Sequence, residues 1–199
     1  MTSISARATR LILILSAFVA GLVLCLAVIL LFSGRGASPI ATAAIGGPFE
    51  LVDQDGKTVT DRDLKGKPTL VFFGFANCPD VCPTTLFEMS EILRALGPDA
   101  EKTNALFVTV DPERDTPSVM KDYLSSFDPH LRGLTGDPAA VTAMTKAYRV
   151  YVKKVPQGDS YTVDHTAIVY LMGKDGRFVA PFNIKRGTAE AAADLRKYL

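Results

Sequence analysis

Two short runs without a charged residue, TLVFFGF (69–75) and ALFVTV (105–110), bracket a segment in which Leu86, Met89, Leu93 and Leu96 recur at helical spacing. A strand that is apolar on both faces must be covered on both faces, which suits a parallel sheet flanked by helices. Strand, helix, strand in this order is a βαβ unit. It commits the chain to an α/β architecture.

The surrounding sequence follows the same grammar. FELVDQDGKTV (49–59) alternates around Asp55-Gly56 and predicts a β-hairpin. DTPSVMKDYLSSF (115–127) offers Thr116 as N-cap and Pro117 at the first helical position. DPAAVTAMTKAY (137–148) starts a further helix in the same way. YRVYVKKV (148–155) predicts a strand, and AIVYLMGKDGRFVAPF (167–182) a strand and a hairpin turning at Lys174-Asp175-Gly176. TAEAAADLRKYL (188–199) closes as a helix, while FDPHLRGLTG, with His130, reads as surface loop. The expected result is a thioredoxin-like fold with an N-terminal β-hairpin extension.

Ahead of this domain stands LILILSAFVAGLVLCLAVILLF, residues 11–32, without a charge. As a helix it would span about 33 Å, enough for a bilayer core of about 30 Å. Arg7 and Arg10 precede it and no acid does, so the positive-inside rule places the N-terminus in the cytoplasm. The expected organisation is a cytoplasmic N-terminus (1–10), a single transmembrane anchor (11–32), a small-residue tether (33–47) and an exported domain (48–199). A cleaved signal peptide competes, with ATA at 41–43 as cleavage pattern, but the apolar run is longer than a usual signal core. Cys25 fits a small apolar residue inside this helix. A lipidation site would want a small residue where Leu24 stands.

Beyond residue 35 the chain carries 19 basic and 21 acidic residues, with no basic block of the kind that binds nucleic acid. Export changes the meaning of its two remaining cysteines. Cys78 and Cys82, in FGFANCPDVCPTT, are spaced C-x3-C at the junction of the first long strand and its helix. Ligands gather at the carboxyl ends of strands in open α/β sheets, and a helix N-terminus favours thiolate. Pro79 and Pro83 bias the cysteines before them away from the α region. Outside the cytoplasm two such thiols pair, are held reduced by a partner, or bind a metal. His165, in YTVDHTAIVYLM, lies just before a buried strand with Asp164 beside it. Two sulfurs and an imidazole suit Cu(I) and could hold Cu(II); zinc usually wants a fourth ligand. A surface histidine at a strand start is the plainer alternative. The loop VTVDPERDTP, with Asp111, Glu113, Arg114 and Asp115, is either a solvated turn capping the next helix or a support for the cysteine site.

GFANCPDVCPTTL, VTVDPERDTP and VDHTAIVYLM together resemble the three signature blocks of the Sco/SenC family, in the family's order and spacing and behind the expected anchor. The resemblance covers about residues 48–199. It implies a thioredoxin-fold protein that binds one copper through Cys78, Cys82 and His165, with Asp164 and Asp111 as supporting residues. It further implies a protein of the bacterial inner membrane, held by residues 11–32, with its C-terminal domain in the periplasm. Such a protein acts as a metallochaperone for the dinuclear copper centre of cytochrome c oxidase subunit II, supplied by a copper donor and a thiol reductant. The alternative is a thiol–disulfide reductase that keeps the oxidase cysteines reduced through Cys78 and Cys82. Many relatives carry Thr and His, or Thr and Tyr, before the first cysteine where this chain has Ala76 and Asn77; neither position is a ligand in the family pattern.

Three rivals are weaker. A metal-free oxidoreductase would more commonly use C-x-x-C with a preceding Trp, and the chain has no Trp. A peroxidase needs peroxide-positioning donors, for which Arg149 is a candidate without a tie to the site. A structural disulfide closing so short a loop would stabilise little.

Overall fold

The computed structural model describes residues 6–33 and 45–199, except the side chains of 6–9, 11–12 and 29–33. The chain divides into two compact units, 1–43 and 44–199. In the first, helix α1 spans Ala6–Ser33. Among the described residues no helix is long and apolar enough to cross a membrane. The described apolar side chains of α1 run from Leu13 to Val28, about 24 Å of helix. The Arg7 side chain, Arg35 and most of the expected tether (34–44) lie outside the described residues.

The second unit is an α/β domain around a seven-stranded sheet. Its elements, in chain order, are β1 (Glu50–Asp53), β2 (Thr58–Thr60), β3 (Thr69–Gly74), α2 (Val81–Leu96), β4 (Asn104–Thr109), α3 (Pro117–Leu124), β5 (Leu131–Thr135), α4 (Pro138–Ala147), β6 (Val152–Gln157), β7 (Ser160–His165), β8 (Val169–Met172), β9 (Phe178–Phe182) and α5 (Thr188–Arg196). The sheet order is β2-β1-β5-β4-β3-β8-β9. Strand β4 runs parallel to both β3 and β5, while β8 runs antiparallel to β3. This is the expected thioredoxin-like arrangement, with the β1–β2 hairpin added at one edge through β1 and β5.

The burial explains the apolar runs. Every residue of β3 is buried, as are the last five of β4. Leu86, Met89, Leu93 and Leu96 form the inner face of α2. The hairpin extension is tied down by one carboxylate. Asp53 accepts from the Asp55 and Lys57 amides across its turn and from Arg132 Nη2 at 2.6 Å on β5. Those bonds outweigh burial and hold its carboxyl below the usual range. The compact unit also begins slightly before residue 48: Ile45 packs against the core and the Gly46 amide donates to the Ala147 carbonyl at 3.0 Å.

Three local expectations are corrected. Residues 148–151 are not strand: Tyr148 caps α4, and Arg149 takes a left-handed φ of 56° to turn the chain, so β6 starts only at Val152. The loop read around His130 contains β5, and the segment before the buried strand β8 contains β7. Strands β6 and β7 form a separate two-stranded sheet.

Candidate metal centre

The cysteine loop leaves the carboxyl end of β3 and enters α2, which starts at Val81. Cys82 is therefore already helical, contrary to the bias expected from Pro83. A proline at the third helical residue costs no hydrogen bond, because the first four helical amides have no intrahelical acceptor. Cys82 is buried and Cys78 half-buried, and both are free thiols.

Gly74, the last residue of β3, makes room for this arrangement. A Cβ there would stand 2.7 Å from both the Cys82 sulfur and the Phe107 ring. The sulfur thus rests on the sheet's end with an aromatic neighbour. At Cys82 burial outweighs the help expected from the helix terminus. Burial drives its thiol strongly upward, with Cys78 and Asp115 adding to the rise. A nearby cation would reverse that cost.

His165 arrives from the far side, as the last residue of β7. Its Nε2 lies 3.6 Å from Cys82 Sγ. The Sγ atoms of Cys78 and Cys82 and a ring nitrogen of His165 all lie within 4.8 Å of one another, a group that can hold a metal ion. Phe75 and Phe72 meet the imidazole edge-on, with ring centroids 5.9 and 6.3 Å away. Nδ1 lies 3.2 Å from the Thr166 carbonyl. A carbonyl accepts only, so Nδ1 carries the proton and Nε2 keeps its lone pair toward the sulfurs. Burial lowers the imidazole's pKa, which keeps the ring neutral and able to ligate.

Asp164, expected as a supporting residue, is exposed on the face of β7 opposite His165. Its charge works to raise the imidazole's pKa against the effect of burial, while the Thr166 carbonyl accepts from Nδ1. Asp111 is fully buried, but it serves the hairpin rather than the cysteines. It accepts from the Tyr161 hydroxyl at 2.8 Å and from Arg114 Nε. The carboxylate of that loop that bonds the cysteine segment is Asp115. It accepts from the Ala76 amide at 3.1 Å and the Thr109 hydroxyl at 2.6 Å.

His130 stands apart from this group. Its Nδ1 lies 2.7 Å from Asp128 and its Nε2 3.4 Å from Glu101. Two neighbours of the thiols escaped the sequence reading, Phe75 and Tyr123. Tyr123 lies tilted against Phe107, its buried hydroxyl has no hydrogen-bond partner among the described residues, and burial followed by the fields of Cys82 and Cys78 raises its pKa. Phe75 lies inside a motif already singled out, whereas nothing local to α3 points Tyr123 at a loop 40 residues earlier.

The geometry meets known proteins at this point. The SCO1/SenC family profile matches residues 37–199. The chain is 43% identical over 144 residues to the mitochondrial SCO1 homolog 1 of Arabidopsis thaliana, covering 69% of this chain and 42% of that protein. It is 38% identical over 149 residues to the SCO2-like protein of Rickettsia felis, covering 73% of each. It thus spans less than half of the plant relative's length. The solved structure of Bradyrhizobium japonicum ScoI with copper bound shares 68% identity, with a TM-score of 0.78, over 78% of this chain and all of that one. The chain belongs to the SCO1/SenC family.

Proposed function

We propose that this protein is a copper-binding metallochaperone that holds one copper through Cys78, Cys82 and His165 and uses it to assemble the dinuclear copper centre of cytochrome c oxidase subunit II. The observation that carries the reading is the convergence of two sulfurs and one lone-pair nitrogen within 4.8 Å, from two distant parts of the chain. Two soft thiolates suit Cu(I), and the imidazole adds a donor that Cu(II) favours. The buried thiol of Cys82 agrees with this. It is costly to ionise in isolation, and a bound copper cation would stabilise the thiolate. Binding releases the thiol protons, while His165 presents its unprotonated nitrogen without needing to lose one.

The half-buried Cys78 favours a second reading at the same site. Cys78 is the less buried residue of the two, with Cys82 near enough to resolve a mixed disulfide, so the pair could act as a dithiol reductant for the receiving cysteines. The two roles can follow one another. A disulfide between Cys78 and Cys82 would remove both thiolate donors and with them tight copper binding.

Residues 11–32 are proposed to anchor the protein as a single transmembrane helix in the bacterial inner membrane, with 44–199 in the periplasm. The uncharged run and the preceding Arg7 and Arg10 support this reading. The remaining expected partners are a copper donor and a thiol reductant.

The test is copper content and visible spectrum of the reduced full-length protein. One copper per chain is expected for the wild type, with tight binding abolished in Cys78→Ser and Cys82→Ser. His165→Ala should weaken Cu(II) more than Cu(I) and spare dithiol reductase activity. Wild-type affinity in either cysteine variant would refute the site.

A further inference from the structure

The histidine ligand sits on the least supported element of the domain. Among the described residues, strands β6 and β7 pair only with each other, and an isolated two-stranded hairpin is marginal in water. Side chains alternate along β7, so Tyr161, Val163 and His165 share one face. Each finds a different partner on the domain. His165 meets Cys82, Val163 is buried in the core, and Tyr161 meets the loop that follows β4.

Among the described residues, the side-chain hydrogen bonds from β6 and β7 to the rest of the domain, apart from the His165 contact, all run to residues 111–114. Arg114 stands at their centre. Its Nη1 donates to the Tyr161 carbonyl at 3.0 Å, and its Nε bonds the buried Asp111. Its guanidinium lies 3.9 Å from the centre of the Tyr161 ring and 5.8 Å from that of Phe75, the same Phe75 that meets the His165 imidazole edge-on. Tyr161 closes the circuit by donating its hydroxyl to Asp111. Lys154, on β6, adds an outer bond to Glu113 at 2.7 Å.

We propose that Arg114 is a positioning residue for His165: clamped between Asp111, the Tyr161 carbonyl and the Tyr161 ring, it fixes the hairpin that brings the imidazole to the two sulfurs. This rests on the copper reading of the centre. The guanidinium can donate to two acceptors and lie over an aromatic ring at once; an ammonium at the same place keeps the charge beside Asp111 but not the second bond or the stacking. Of the thiols, by contrast, Cys82 sits on α2 and Cys78 on the loop between β3 and α2; among the described residues the clamp makes no hydrogen bond to either, and it meets that loop only where the guanidinium nears the Phe75 ring. Arg114 should therefore matter in proportion to how much the metal needs its nitrogen ligand.

The experiment compares full-length wild type with Arg114→Lys, and with Arg114→Gln as the second variant. Amide hydrogen exchange of residues 160–165 in the copper-free protein reads the clamp without any metal. Competition titrations with Cu(I) and Cu(II), and the thiolate-to-copper charge-transfer band, read the ligand. Arg114→Lys is expected to speed exchange in β7, to weaken Cu(II) about 10–100-fold and to leave Cu(I) nearly unchanged. Tyr161→Phe, which loses one bond of the circuit, should do the same more weakly. Native exchange in β7 together with a native ratio of Cu(II) to Cu(I) affinity would overturn the proposal. So would equal losses for both oxidation states, which would make Arg114 a merely structural residue. A wild type that bound no copper would fail the reading of the centre, and β7 exchange would still decide whether Arg114 holds the hairpin.

Discussion

At the residue scale the centre depends on an atom that is missing. Gly74 has no Cβ, and the Cys82 sulfur occupies the space one would take. The backbone there needs no glycine for its own conformation, since Gly74 is not among the positive-φ residues; the demand is steric. Gly74→Ala is expected to push the sulfur or the Phe107 ring aside. Such overpacking costs about 1–3 kcal/mol. Copper affinity should fall by about tenfold or more, and the shifted sulfur should move the charge-transfer band. A variant that lost stability but bound copper with native affinity and spectrum would show that Phe107 alone yields. Residue-scale chemistry was legible where the residue type carries it: two cysteines and a histidine name themselves. The carbonyl of Thr166 and the hydroxyl of Tyr123 do not, because a backbone acceptor has no sequence signature and a tyrosine in a helix reads as core. Asp164, adjacent to His165 in sequence, lies on the opposite face of β7 and acts on the imidazole through its charge.

At the element scale, legibility followed burial and capping. The runs of β3 and β4 and the Pro-led starts of α3 and α4 are strong local signals, and Thr116 and Asp137 accept the capping bonds their positions suggest. The short β5 carries Arg132 as its second residue, one that reads as surface until the bond to Asp53 is seen. Strand β7 is hidden because it mixes exposed and buried positions on a hairpin that no sheet covers. The turn into β5 carries a prediction of its own. His130 is gripped by Asp128 and, more loosely, by the exposed Glu101, and the Asp128 hydrogen bond is the main cause of its raised pKa. A histidine whose pKa is raised on folding stabilises most when it is protonated in both states. That contribution is complete below its ordinary value of about 6.5 and fades as pH rises through the raised folded value. His130→Gln should therefore lower the thermal midpoint most at about pH 6 and converge on wild type by about pH 9. A deficit that stayed constant over that range would assign the effect to packing. Copper affinity should be untouched, since His130 lies outside the ligand group.

At the scale of the whole molecule, the two units follow different physics. Unit 44–199 has its own core, running from Leu51 through the β3 and β4 side chains to Leu195. Unit 1–43 contributes a helix whose described side chains from Leu13 to Val28 are mostly apolar and exposed. A polypeptide beginning at residue 44 and exported to the periplasm should thus fold and bind one copper through Cys78, Cys82 and His165 with wild-type affinity. If the proposed anchor serves to hold the domain beside a membrane-bound oxidase, the loss from truncation is one of concentration near the client, not of ligand chemistry. Tethering raises effective concentration to the millimolar range for short flexible linkers, and a freely diffusing domain forfeits that. Oxidase assembly in cells making the truncated protein should fall when copper is scarce and recover when an unrelated single-span anchor is fused ahead of residue 44. Recovery with any anchor would mean that α1 supplies proximity alone. Failure of every foreign anchor, with copper binding intact, would mean that the residues of α1 themselves recognise the client, and that this helix is a docking element as well as a tether.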